Sequence, residues 1–194
     1  MSNEKENKNF VPYIILILTI LMAGIISSSP SLNPTYEDEA LIGIDWVHFK
    51  LHEGEHYYLR DYFTLGGRET VNIVIYTGEN EAHLLPIITA NDGAINVSLY
   101  ENSIITSNGT EIIYYNSNYN YGDLDGLTIY DGAVVSNFGD YKGRSYIGSG
   151  RTYGGVIRAE NEIILQPNTT YVFQITNQIT NNNVIDIILD WYED

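Results

Sequence analysis

A chain of 194 residues with 9 Lys or Arg against 25 Asp or Glu carries a formal net charge of −16, and it has no cysteine. So few basic residues leave nothing with which to neutralise a phosphate backbone, which argues against nucleic-acid binding. Disulfide frameworks, cysteine-ligated metals and thiol chemistry are ruled out, while an apolar share of 44% marks a folded chain of about one domain rather than an acidic tail.

The first element is the uncharged run Phe10 to Ile26. It is long for a signal-peptide core and at the short end of the roughly 17–25 residues that a membrane span needs. Lys5 and Lys8 precede it and Glu37, Asp38 and Glu39 follow it, which orients it N-in. Residues 1–29 therefore read as one hydrophobic helix, either a cleaved signal or a membrane anchor through residues 10–26. Residues 30–40, with Pro30 and Pro34, read as a linker or an extended arm, and 41–194 as the folded domain. The charges of residues 1–29 cancel, so the whole −16 falls on the part placed outside the cytoplasm.

Beyond the linker, short runs rich in Ile, Val, Tyr and Thr alternate with Gly, Asn and Asp. Strands are predicted near 41–51, 71–76, 82–89, 94–100, 111–115, 127–130, 156–159, 162–165, 170–176 and 184–192. Asn91-Asp92-Gly93, Ser107-Asn108-Gly109 and Gln166-Pro167-Asn168 supply turn chemistry between them. Ile185, Ile187, Leu189 and Trp191 share one face of the last strand, and Tyr171, Phe173 and Ile175 one face of the strand before it; they are expected to pack together across a hairpin. Residues 116–155, rich in Asn, Tyr, Gly and Asp, are expected to form long loops, and no internal repeat is apparent. The fold class that follows is all-β, an antiparallel β-sandwich of jelly-roll type behind one N-terminal hydrophobic helix.

Few residues point to chemistry. His52-Glu53-Gly54-Glu55-His56 spells HExxH, which binds zinc when a helix sets both histidines on one face. Gly at its centre and an alternating run before it (Ile44, Trp46, His48) argue for a strand and against zinc hydrolysis, and no other catalytic constellation is visible, so no enzyme is expected. Asp123, Asp125 and Asp131, among Gly122, Gly126 and Gly132, offer oxygen ligands of the kind Ca2+ takes. Asn96, Asn108 and Asn168 head N-x-S/T triplets and are candidate glycosylation sites. The 17 tyrosines suit interfaces or a glycan platform, and equally suit strands.

Several short motifs then recur in an order that resembles a family of β-rich virion structural proteins of tailed phages, of head-decoration, head-fibre or tail-associated type. They are Ile44-Asp45 with His48, His52, Gly54, His56 and Tyr57; Thr77-Gly78 and His83; Leu99-Tyr100-Glu101; Asn108-Gly109-Thr110; Tyr115-Asn116; Gly154-Gly155; Ile164-Leu165 with Pro167-Asn168-Thr169 and Tyr171; Ile175-Thr176-Asn177; and Tyr192-Glu193. The resemblance implies a non-enzymatic particle protein on the virion surface whose partners are copies of itself and other virion or surface proteins. Two departures stand out: the hydrophobic N-terminal run, which that family usually lacks, and Tyr119 after Asn118, where the family has Asn-Arg after its Tyr-Asn. A cell-surface or extracellular filament subunit joined by strand complementation, and a glycan-binding surface module, are the competing expectations.

Overall fold

The computed structural model describes residues 46–120, 126–153 and 161–194. The hydrophobic run of residues 10–26 and the strand expected at 156–159 lie outside them. Among the described residues no helix is long and apolar enough to cross a membrane. The compact unit Trp46–Asp194 is described below.

It opens with a helix, α1, at 46–53, where a strand was expected. Trp46 and His48 imitate strand alternation. The helix ends in a Schellman turn: Gly54 N–H donates to Leu51 C=O at 3.3 Å, Glu55 N–H to Lys50 C=O at 3.0 Å, and Gly54 sits at φ 79°. That turn splits the HExxH motif, leaving His52 on the helix and His56 in the first strand.

Fourteen strands follow among the described residues. They are β1 (His56–Leu65), β2 (Thr70–Tyr76), β3 (Ala82–Ala90), β4 (Ile95–Glu101), β5 (Ile104–Ser107), β6 (Thr110–Glu111) and β7 (Tyr115–Asn116). Then come β8 (Thr128–Asp131), β9 (Val134–Asn137), β10 (Asp140–Ile147), β11 (Arg151–Tyr153), β12 (Ile163–Leu165), β13 (Thr170–Asn177) and β14 (Asn183–Glu193). The first sheet runs β11-β3-β14-β1-β7, with β12 also on β3; the second runs β10-β4-β13-β2-β8-β6; all pairs are antiparallel. Within them, β1-β14-β3-β11 faces β2-β13-β4-β10, the strand order of a jelly roll. β5 and β9 form a separate two-stranded sheet.

The expected sandwich is thus present, with two corrections. Residues 116–155 are not long loops, since β8, β9, β10 and β11 lie there. The apolar faces of β13 and β14 do meet, but from opposite sheets rather than across a hairpin in one sheet. Phe173, Ile175, Ile185, Ile187, Leu189 and Trp191 are all buried in one core with Ile73, Ile75, Leu84 and Ile88. Tyr57 stacks on Trp191 at 5.6 Å between ring centroids, and Tyr114 meets the same indole edge-on at 5.0 Å.

An internal repeat is also present. Residues 99–111 and 129–141 adopt the same succession of strand, bend, strand and strand at an offset of 30. Leu99-Tyr100-Glu101-Asn102-Ser103-Ile104-Ile105 matches Ile129-Tyr130-Asp131-Gly132-Ala133-Val134-Val135 with a single identity, which hid it from a reading by eye. The two copies are related by a local two-fold through Val74 and Val172, which oppose each other across β2 and β13. Val74 then pairs with Tyr130 on one side, and Val172 with Tyr100 on the other. The backbone repeats too: Asn102 (φ 58°) matches Gly132 (φ 67°), and Gly109 (φ 85°) matches Gly139 (φ 68°). Ser103 N–H donates to Thr170 C=O and Ala133 N–H to Asn72 C=O, both at 3.3 Å. Val74, Ala133 and Val172 make a second small core with Tyr76, Tyr100, Ile105, Val135 and Phe138 packed on it, so β5 and β9 roof the outer face of the second sheet.

Candidate functional site

The outer face of the first sheet has no such roof among the described residues. Alternation on β1 sends Tyr57 and Leu59 inward, and places His56, Tyr58, Arg60 and Tyr62 on the outer face. β7 pairs with β1 only at Tyr57 and Tyr58, which brings Tyr115 beside Tyr58, their rings 5.9 Å apart. The turn after β7 delivers Tyr119, whose hydroxyl lies 3.1 Å from that of Tyr58, while the Arg60 guanidinium stands 5.6 Å over the Tyr58 ring. Tyr119 is 83% exposed. Tyr58, Arg60, Ser117, Tyr119 and Asp190 line a cleft of about 290 Å³. The Tyr58 hydroxyl is held above its ordinary pKa, chiefly by its hydrogen bond to Tyr119. Clustered phenols with a guanidinium and a carboxylate are the equipment for a polyhydroxylated ligand or a protein surface.

Behind the cleft lies a grouping that sequence reading did not assemble. Ser117 Oγ is 2.7 Å from His56 Nδ1, and His56 Nε2 is 3.2 Å from an Asp190 carboxylate oxygen. Sixty-one residues separate Ser117 from His56, so no local spacing announces it. The set has serine-hydrolase composition, but serine and carboxylate sit on the opposite ring nitrogens from those of that relay. His56 is 6% exposed. Its ring, held on both sides, locks the turn after β7 and the end of β14 onto β1.

A second polar cluster closes the same end of the sheet. Lys50 extends from α1 to Glu193 C=O at 2.6 Å, Glu55 at 2.7 Å and Asp194 at 2.9 Å. Burial works against its charge, but the pairs with Glu55 and Asp194 outweigh that, and its pKa is raised. His83 stacks on Tyr192 and sits among Glu162, Glu81 and Asp194.

Of the residues singled out for cations, Asp131 ends β8, while Asp123 and Asp125 lie outside the described residues. Among the candidate glycosylation sites, Asn108 and Asn168 are exposed, Asn108 accepting from the Tyr76 hydroxyl at 2.8 Å and Asn168 sitting in a turn at φ 50°. Asn96 is half-buried within β4, flanked by Thr176 and Tyr146 on the neighbouring strands. His48 and His52 are on α1, whereas His56 is on β1.

No family model and no curated protein matches the chain. Among solved structures, a mitogen derived from Yersinia pseudotuberculosis aligns with 70% of this chain and 84% of its own, at 11% identity and a TM-score of 0.29. A hydroquinone 1,2-dioxygenase from Sphingomonas sp. TTNP3 with 4-hydroxybenzoate bound aligns with 70% of this chain and 58% of its own, at 13% identity and a TM-score of 0.25. At those scores neither carries an argument about this chain.

Proposed function

We propose that this protein is a non-enzymatic structural component of a virus particle, a jelly-roll subunit that assembles on the virion surface and is exported or anchored by residues 10–26. The observation that carries the reading is the strand order, β1-β14-β3-β11 against β2-β13-β4-β10, an architecture used by viral capsid domains as well as lectins and cupins. The warrant is architectural likeness joined to the ordered motifs. Those motifs do fold-building work: Thr77 Oγ1 donates to Gln166 C=O at 2.7 Å, Asn168 N–H donates to Gly78 C=O at 2.7 Å, and Tyr171 OH donates to Glu101 at 2.7 Å. The outer face of the first sheet, which no other described residues roof, carries Tyr58, Arg60, Tyr62, Ile87 and Ile188 and is the surface through which copies would meet. Mass spectrometry of purified particles tests this, the expected result being the chain at a fixed stoichiometry. Its absence from particles together with abundance in cell envelopes would overturn the reading.

The tyrosine cleft favours a second reading, a glycan-binding surface module. Binding on a glycan array that is lost in Tyr58→Ala and Tyr119→Ala would select it. A third reading, a filament subunit joined by strand complementation, draws on β1, whose outer edge is paired by β7 only at Tyr57 and Tyr58. Deleting residues 30–40 should then abolish polymers while leaving a folded monomer.

A further inference from the structure

We propose that His48 and His52 form a surface site for one transition-metal dication of the Zn2+, Ni2+ or Cu2+ class. The helix supplies the geometry, because residues four apart stand on one face. The two Nε2 atoms are 3.0 Å apart, with the rings edge-on and their centroids 4.5 Å apart. Two imidazole nitrogens at ~2.0–2.1 Å from one metal lie about 2.9 Å apart when they subtend a right angle and about 3.4 Å apart at the tetrahedral angle. The observed separation falls inside that interval, so the two nitrogens already stand at the spacing of two ligands on one metal, which would replace the hydrogen bond now between them.

The element carrying the pair is held in place. The Schellman turn at Gly54 ends α1, Lys50 ties its inner side to Glu193, Glu55 and Asp194, and Asn118 Nδ2 donates to His52 C=O at 3.3 Å. Both histidines are exposed, so a metal reaches them without opening the fold. Nitrogen donors select the transition metals over Ca2+ and Mg2+, which take oxygen. The acidic chain raises the local concentration of any dication. Two protein ligands leave further coordination positions for water or for an incoming ligand.

The test is a titration of the full-length chain with Ni2+ and Zn2+ against a chromophoric chelator, with His48→Ala, His52→Ala and the double variant alongside. The expected result is one saturable equivalent, weakened at least tenfold by either single change and absent in the double variant, with melting curves unchanged. His83→Gln should leave it intact. Imidazole proton NMR adds a second readout: His48 and His52 resonances should shift together on adding Zn2+, and none should shift with Ca2+. No saturable binding, equal binding in the double variant, or zinc shifts confined to His56 and His83 would overturn the proposal.

Discussion

Three glycines in the two-fold repeat allow one methyl group to be tested in three settings. A Cβ built on Gly109 would lie 1.9 Å from Asp131 C=O, and one on Gly139 would lie 2.3 Å from Glu101 C=O, whereas real Cβ atoms stay beyond 3.0 Å. A Cβ on Gly132 meets nothing within 4 Å. All three have positive φ, which costs an alanine ~1–2 kcal/mol. At Gly132 that is the entire penalty. At Gly109 the β6–β8 ladder, Thr110 on Asp131 and Glu111 on Tyr130, must also open. Crowding of ~1–3 kcal/mol and weakened hydrogen bonds of ~0.5–1.5 kcal/mol each then add to it. Gly109→Ala and Gly139→Ala should therefore lose about 3–5 kcal/mol, and Gly132→Ala about 1–2. At ~2–4 °C per kcal/mol for a domain of this size, the gap in melting temperature is about 5–10 °C. Gly132→Asn should be milder still than Gly132→Ala, because Asn102 already occupies the symmetry-related position at φ 58°. Urea unfolding followed by tryptophan fluorescence, with thermal melts, measures all four. Equal losses at the three glycines, or the largest loss at Gly132, would refute the two-fold packing argument.

Asn177 is fully buried; its Nδ2 donates to Gly66 and Asn181 C=O at 2.8 Å each, and its Oδ1 accepts from Ile179 N–H at 3.2 Å. Asn177→Ala should cost about 2–4 kcal/mol in urea unfolding, and Asn177→Asp more at neutral pH because a carboxylate would face those carbonyls; an aspartate milder than alanine would reject this. Burial, with a contribution from the bond to Glu101, pushes the Tyr171 hydroxyl up to about 12. Between pH 10 and 12 the folded chain keeps a proton that the unfolded chain loses, so stability falls as pH rises through that window. Tyr171→Phe should flatten the alkaline fall in urea midpoint, and an unchanged slope counts against it. On the acid side, hydrogen bonds from Lys142 and Tyr171 hold the Glu101 carboxyl below its ordinary range. Its contribution is present above about pH 4.5 and is lost below it, and Glu101→Gln should remove that part of the acid transition seen by fluorescence.

What the sequence could disclose depended on where each strand lies. β2, β3, β4, β13 and β14 are interior strands, and their Ile, Val and Leu positions alternate or run together because a core demands it. β1 went unread because it starts on the last residue of HEGEH and carries Arg60 and Asp61, charges that its exposed positions tolerate. β9 and β10 lie in the roof and at a sheet edge, so they carry Ser, Asn, Tyr, Lys and Gly that read as loop. Tyrosine abundance was visible in composition, but which tyrosines converge is set by the long-range pairing of β1 with β7 and β14. The His48–His52 pair was hidden for a local reason: it exists only if 46–53 is helical, and the sole cue was Gly54 as a helix terminator.

The placement of β13 and β14 governs how the molecule can be made. Each occupies the interior of its sheet, β14 between β3 and β1, and β13 between β4 and β2. His56 meets Tyr192 and Val71 meets Ile175 across more than half the chain. During synthesis the earlier strands emerge without the neighbours that join them, and each of the two sheets is two unconnected halves until its late strand arrives. Closure therefore waits for β13 and β14, and it is slow in the manner of folds rich in distant pairings. A nascent chain stalled before residue 170 would present four unsatisfied ladder edges, which makes retention by a holding chaperone, or aggregation, its immediate fate.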